Sequence, residues 1–356
     1  MKTYNHLFDE ICSFENLLAA ARRAERGKRM QSTVARFRTN IEAELLQVQR
    51  ELREQTYTPG AYREKIITRP KERLISAAPF RDRVVHHALC RVVMPLFERK
   101  MIHDLYSNRA GKGTHAAIRR CQEFCRAHES VLKCDVRKFF PSMDHEILKG
   151  TIRRTIRCQE TLALIDKVID GSNRQEPVSN VFPGDDIAAA AARRVGLPIG
   201  NLTSQWFGCL YLDGFDHWVK EELRCPGYVR YVDDFLLFGD DKAQLAEWRA
   251  AIVAKLAELR LHLNERKSRA FPTAQGITYL GQRIWRGRRR LCRQNVADAR
   301  RRLRWNTRQY KRGWLSRGAL LTRWHSWRGH AQQADTGALV ERMRKELREL
   351  LGATGK

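Results

Sequence analysis

Acidic residues are scarce: the 356-residue chain carries 40 Asp plus Glu against 67 Lys plus Arg, a formal charge of +27. That surplus exceeds what solubility needs and is typical of chains that meet polyphosphate, nucleic acid above all. Long apolar runs are missing as well. No stretch of about 18 apolar residues offers a membrane span, and Met1–Glu10, polar and of mixed charge, lacks the apolar core of a signal peptide. Paired cysteines are absent: the nine, at positions 12, 90, 121, 125, 134, 158, 209, 225 and 292, have neither the even count of a disulfide framework nor the doublets of a zinc ribbon. A reducing cytoplasm and no membrane partner are expected. Cys121, Cys125 and His128 fall at helical spacing around Phe124 and read as a buried helix face. The glycines of Arg109–Thr114 do not have the spacing of a P-loop. What remains, a 43% hydrophobic fraction, supports two or three units with ordinary cores.

The chain is organised around residues 228–238, Tyr-Val-Arg-Tyr-Val-Asp-Asp-Phe-Leu-Leu-Phe. Two short apolar runs around two turn-tolerant acids predict a β-hairpin with Asp233 and Asp234 at its bend. Adjacent carboxylates repel, and a divalent cation on hard oxygen ligands is the common remedy; an Asp-Asp turn chosen for its φ/ψ tolerance is the alternative. Asp185-Asp186 and Asp240-Asp241 warn that a doublet alone means little. Residues 131–136 read as a buried strand ending on Asp135. Phe139-Phe140-Pro141 then leads into a helix near Ser142, its expected N-cap.

Elsewhere, apolar periodicity predicts helices over 6–26, 41–52, 84–97, 206–223 and 243–259. Lys65–Thr68 and Arg73–Ala77 form a basic hairpin carrying Arg69, Lys71 and Arg73, suited to clamping a triphosphate. Gly196-Leu-Pro-Ile-Gly-Asn-Leu-Thr-Ser-Gln205 is a bend that brings bare backbone to a ligand ahead of a helix. Ile277–Trp285 is a last hairpin. From 283 to 330 there are 16 Lys or Arg against a single acid, Asp298, with Trp305, Trp314, Trp324 and Trp327 interleaved, a composition suited to tracking a phosphate backbone. This order can fold into an antiparallel sheet that sets Asp135 beside Asp233, although the two are 98 positions apart.

At this point the sequence resembles a reverse transcriptase over about residues 60–330. Asp135 with Phe139-Phe140 resembles the family's first catalytic block, Leu197–Gly200 its nucleotide-facing block, and Tyr231-Val-Asp-Asp234 its signature box. Asn264-Glu-Arg-Lys-Ser268 and Tyr279-Leu-Gly281 resemble the two that follow. Ser204-Gln205, Pro79–Ala88, Gly111–His115 and Ser326–His330 are similar to the enzymes of diversity-generating retroelements.

The resemblance implies an α+β right-hand polymerase with fingers, an antiparallel-sheet palm of ferredoxin-like core and an α-helical thumb. The expected units are an N-terminal helical segment (1–58), fingers with the start of the palm (59–130), palm (131–285) and a basic thumb with a C-terminal helix (286–356). Asp135, Asp233 and Asp234 would be catalytic and, with Val136, would hold two Mg²⁺, Mn²⁺ being a substitute. Lys71, Arg73, Phe140, Pro198, Ile199, Gly200, Gln205 and Lys267 would bind the nucleotide, Phe140 by excluding a ribose 2′-hydroxyl and Lys267 by protonating pyrophosphate. Tyr279, Leu280 and Gly281 would grip the primer. Implied partners are template RNA, RNA/DNA hybrid, dNTPs and a small basic pentameric accessory protein, in the cytoplasm of a bacterium or for a phage. The rivals are a retron or group II intron enzyme, the latter disfavoured by the lack of a long extension after residue 356, and an inactive RNA-binding scaffold.

Overall fold

A computed structural model of the chain describes residues 2–68, 72–173, 175–178, 181–182 and 185–352. Four helices lead: α1 (Phe8–Cys12), α2 (Phe14–Ala24), α3 (Ser32–Thr39) and α4 (Ile41–Arg53). The single helix expected over 6–26 is two. Ser13 adopts an extended conformation and its hydroxyl accepts from the Asn16 amide, so the second helix is capped afresh. Helix α2 lies along α5 (Phe80–Glu98), where the buried Asn16 donates to the carbonyls of Ile11 and Ala88. Between them β1 (Arg63–Ile67) and β2 (Arg73–Ala77) form the expected basic hairpin, with Ile67 opposite Arg73.

Helix α6 (Thr114–Ala127) precedes β3 (Ser130–Asp135). A one-turn helix α7 (Phe139–Ser142) and α8 (His145–Arg153) follow, and the N-cap of α8 is Asp144, not Ser142: its carboxylate accepts from the amides of Glu146 and Ile147. A carboxylate at a helix N-terminus takes two orphan amides and also meets the positive end of the helix dipole. Helices α9 (Gln159–Asp170) and α10 (Ile187–Ala192) come next. The helix expected over 206–223 is broken at Leu212 into α11 (Leu202–Tyr211) and α12 (Asp213–Glu221).

The central sheet contains β3, β4 (Gly227–Tyr231), β5 (Asp234–Gly239) and β6 (Arg269–Pro272), all antiparallel, in the order β4-β5-β3-β6. With α13 (Lys242–Glu258) between β5 and β6, that order is the ferredoxin-like one expected of the palm. Strand alternation divides the faces. Leu132, Cys134, Phe235 and Leu237 join the main core with α5, α11 and α13, whereas Val131, Val229, Leu236 and Phe238 pack against α6. Cys121 and Cys125 belong to this second core, as a buried helix face. A three-stranded sheet, β7 (Ile277–Tyr279), β8 (Gln282–Ile284) and β9 (Arg289–Leu291), covers the same side; only its first two strands were expected. Helices α14 (Arg293–Lys311), α15 (Arg317–Ala331) and α16 (Gly337–Gly352) close a third, small core around Leu303, Trp324 and Met343. No described helix is long and apolar enough to cross a membrane.

One ion pair lies wholly inside this frame. Arg230 on β4 and Asp216 on α12 are both fully buried. Arg230 Nε donates to Asp216 Oδ1 at 2.6 Å, where Tyr228 also donates at 2.7 Å, and the rest of the guanidinium reaches the carbonyls of Cys209 and Val232. Breaking such a pair strands a charge in a low dielectric. Asp216→Ala is therefore expected to lower stability by about 3–5 kcal/mol, and the volume-matched double variant Arg230→Met with Asp216→Leu by clearly less. Denaturation midpoints read both; a single variant as stable as wild type would show that the pair does not govern the fold.

Candidate active site

The register of the central sheet pairs Asp135 with Asp234 directly across β3 and β5. The bend of the β4–β5 hairpin is one residue earlier than expected: Val232 and Asp233 form it, and Asp234 opens β5. Val232 has φ +58°, a left-handed conformation that costs a β-branched residue on the order of 1–3 kcal/mol. Three bonds hold it there. Val232 N donates to Ser107 Oγ (3.1 Å), its carbonyl accepts from Arg230 (2.9 Å), and the Asp233 carbonyl accepts from the Val136 amide (3.1 Å). The turn is thus tied to β4, to the segment before α6 and to the end of β3.

Asp135 is enclosed by the segment after α13. Its carbonyl accepts from the Asn264 amide, its amide donates to Ser268 Oγ, and its carboxylate accepts from Asn264 Nδ2 (2.9 Å) and from Lys267 Nζ at 2.9 and 2.8 Å, one contact to each oxygen. Lys133 Nζ lies 3.7 Å from Asp234 Oδ2. Asp234 Oδ1 is buried and has no hydrogen-bond partner among the described residues. Burial first, then the neighbouring carboxylates, push Asp234 up to about 7 against the pull of Lys133. Burial and Asp135 likewise raise Asp233, opposed by Lys267 and Arg73. Three acids with partly unmet charge at one sheet edge fit a divalent cation. As they stand, no three His, Cys, Asp or Glu side chains among the described residues are grouped to hold an ion, and an ammonium spans Asp135 instead.

The other expected residues distribute unevenly. Lys71 lies outside the described residues. Arg73, exposed at the start of β2, is close enough for its charge to act on Asp233. The 196–205 bend is fastened on both sides: Gly196 N and Leu197 N donate to the carbonyls of Met143 and Phe140, and the Ile199 carbonyl accepts from Ser76 N on β2. Gly200 has φ +120°, and a Cβ there would sit 3.0 Å from Ile75. Pro198 is buried, Ile199 and Phe140 are half-buried, and the Gln205 side chain is exposed. Phe140 packs on Phe139 with ring centroids 5.5 Å apart. Tyr279 differs from expectation: its ring is fully buried in the second core with Ile277 and Ile284. Leu280 and Gly281 both have positive φ, and the Gly281 carbonyl accepts from Cys292 N and Asn295 Nδ2 at the start of α14.

Residues unassigned in the sequence complete the site. Asn201 is buried and bonds reciprocally to β2, its Nδ2 donating to the Ser76 carbonyl and its Oδ1 accepting from Ala78 N. Asn264 and Ser268 flank Lys267 in its block, and both bond Asp135. Ser107, Lys133 and Asp216 gave no signal, because each acts through a contact distant in sequence.

The family described as reverse transcriptase (RNA-dependent DNA polymerase) matches residues 64–284. Protein YkfC of Escherichia coli (strain K12) is 23% identical over 266 residues, covering 64% of this chain and 67% of that protein. Nuclear intron maturase 1, mitochondrial, of Arabidopsis thaliana is 24% identical over 96 residues, 27% of this chain but 14% of the maturase. Among solved structures, apo telomerase from Candida tropicalis truncated from its C-terminal domain superposes with a TM-score of 0.48 at 13% identity, covering 68% of this chain and 59% of that one. Telomerase from Candida albicans in complex with a TWJ fragment of telomeric RNA gives 0.43 at 10%, covering 70% and 49%.

The raised Asp233 and Asp234 bind protons more tightly folded than unfolded. Their contribution to stability is therefore greatest below the ordinary carboxylate range and falls as pH rises toward 7. Asp234→Asn removes the larger part of that penalty. In divalent-free buffer it is expected to raise Tm by about 3–6 °C at pH 8 and by much less at pH 5, read by circular dichroism; equal shifts at both pH values would contradict it.

Proposed function

The chain belongs to the reverse transcriptase (RNA-dependent DNA polymerase) family, and we propose that it is the error-prone, adenine-mutagenic enzyme of a diversity-generating retroelement, copying a template RNA into cDNA. The observation that carries polymerase chemistry is the convergence of Asp135, Asp233 and Asp234 at one sheet edge, with unmet negative charge. Reverse transcriptase domains work with divalent metal ions. Here two Mg²⁺ held by Asp135, Val136, Asp233 and Asp234 would supply an activated primer 3′-hydroxyl and charge neutralisation at the leaving group.

The chain's own groups do the rest. Arg73, with Lys71, grips the triphosphate from the β1–β2 hairpin, which the Ser76–Ile199 bond seats on the 196–205 bend. Phe140, half-buried against Phe139, stands against the sugar and rejects a 2′-hydroxyl. Pro198, Ile199, Gly200 and Gln205 wall the nucleotide. Lys267 releases Asp135 and gives a proton to the departing pyrophosphate. The Leu280-Gly281 turn holds the primer strand.

The retroelement assignment is supported by Ser204-Gln205, by aliphatic Ile199 in the nucleotide wall, and by a contact between two of its sequence blocks: the rings of His115 and His330 lie 5.7 Å apart. An aliphatic side chain offers no hydrogen bond to template or incoming base, which loosens selection. Template RNA, RNA/DNA hybrid and dNTPs are the substrates, and a small basic pentameric protein the accessory partner, in a bacterial or phage-infected cytoplasm. A group II intron type enzyme is the second reading, favoured by the stretch shared with a plant intron maturase.

Primer extension on an RNA template with Mg²⁺ tests the activity. Asp233→Ala is expected to lower the rate by about 10³-fold or more; a wild type that makes no DNA would favour a scaffold. Ile199→Gln is expected to change misincorporation opposite template adenine several-fold, read by sequencing the cDNA, and an unaltered error spectrum would sink the retroelement assignment of that residue. A variable gene with a near-copy template repeat beside the coding sequence supports the retroelement, whereas a noncoding retron RNA defeats it.

A further inference from the structure

Beside the three acids lies a cavity of about 480 Å³ between β6 and the β7–β8 ribbon. Five cations line it, Lys133, Arg266, Lys267, Arg269 and Arg283, and no acid does. The two lysines are shared with the site: Lys267 holds both oxygens of Asp135, and Lys133 stands 3.7 Å from Asp234 while donating to the Thr278 carbonyl. The arginines have no carboxylate partner among the described residues. Two of them are nonetheless held in place. Arg269 lies over the Phe271 ring at 5.4 Å, and Arg283 over Trp285 at 5.1 Å while donating to the Gln275 carbonyl.

Clustered cations in a concavity repel one another and lose hydration; a polyanion relieves both. A duplex backbone is long and tracks an extended basic surface, which α14 and α15 provide with their arginines and the exposed Trp305. A hollow that shares Lys133 and Lys267 with the carboxylates suits a small polyanion formed beside them. Resting on the polymerase reading, we propose that this cavity receives inorganic pyrophosphate as it leaves the site. In that reaction the primer 3′-oxygen bonds to the α-phosphorus and the α-phosphorus–oxygen bond to the β-phosphate breaks. The bridging oxygen departs with its electron pair, and the 3′-hydroxyl proton passes to solvent. Arg266, Arg269 and Arg283 then take over an anion that Lys133 and Lys267 guide away from the acids.

The test uses the full chain and inorganic pyrophosphate with Mg²⁺. Arg266→Gln with Arg269→Gln removes two charges while keeping polar side chains of some length. The double variant is expected to bind pyrophosphate about tenfold more weakly by calorimetry, and to need about tenfold more pyrophosphate to halve primer extension. Duplex affinity should change less than twofold, with an unaltered salt slope. A Tm equal to wild type checks the fold, and Arg269→Lys, which keeps the charge, should recover most of the affinity. Unchanged pyrophosphate affinity and inhibition in a wild-type-active chain overturn the cavity assignment, as does a loss confined to duplex affinity. A wild type that extends no primer overturns the polymerase reading instead, and the identity of the anion with it.

Discussion

The geometry of the site depends on a charge pair that never meets solvent. Arg230 and Asp216 are fully buried, and Arg230 bonds at once to α12, to the Cys209 carbonyl of α11 and to the Val232 carbonyl of the turn. Its backbone also takes in the segment before α6, through Arg230 N to the Asp104 carbonyl and Tyr106 N to the Arg230 carbonyl. A pair of this kind contributes little net energy over apolar replacements, but losing one partner is severe. Its effect is specificity: it sets where the β4–β5 hairpin ends and holds Val232 in a conformation its side chain disfavours. Asp233 and Asp234 are aimed by protein bonds alone.

Much of this was legible because the controlling patterns are local. Apolar runs in 131–136 and 228–238 marked both strands and the approach of Asp135 to the acid doublet, although the register sets Asp234 rather than Asp233 opposite Asp135, and the 3.6-residue period marked α4, α5 and α13. What was misread depended on tertiary demand or cap chemistry. A continuous apolar pattern hid the break at Leu212, where α12 redirects so that Asp216 reaches Arg230. Ser142 is a good N-cap type, but Asp144 is better placed to satisfy two amides. The doublet at 233–234 suggested a symmetric bend, whereas the register gives Asp234 to the strand. Tyr279 read as a primer contact because its block lies at the site; its ring instead fills the core under α6, with a hydroxyl that finds no partner.

Two blocks that carried only resemblance acquire a physical role. Gly111–His115 and Ser326–His330 are more than 200 residues apart, yet His115 and His330 touch and Thr114 donates to the Tyr231 hydroxyl. The start of α6 therefore binds the β4–β5 hairpin on one side and the basic helices on the other. Burial, His330, Arg119 and Arg289 hold the His115 imidazole below its ordinary range.

Charge explains why the acids coexist with a strongly basic chain. On the proposed function, Lys267 and a divalent ion would compete for the same two oxygens of Asp135. The ammonium is the weaker occupant, a single charge on a flexible stem, and more than half of its side chain is exposed, so it can leave without moving backbone. Asn264 and Ser268 keep Asp135 oriented whichever cation is present, since one takes a carboxylate oxygen and the other its amide. On the proposed function, the lysine that screens Asp135 also stands at the cavity edge, where it would meet the negative charge that polymerisation releases. A lysine that guarded the acids by burial could not do this; its exposure is what allows both roles.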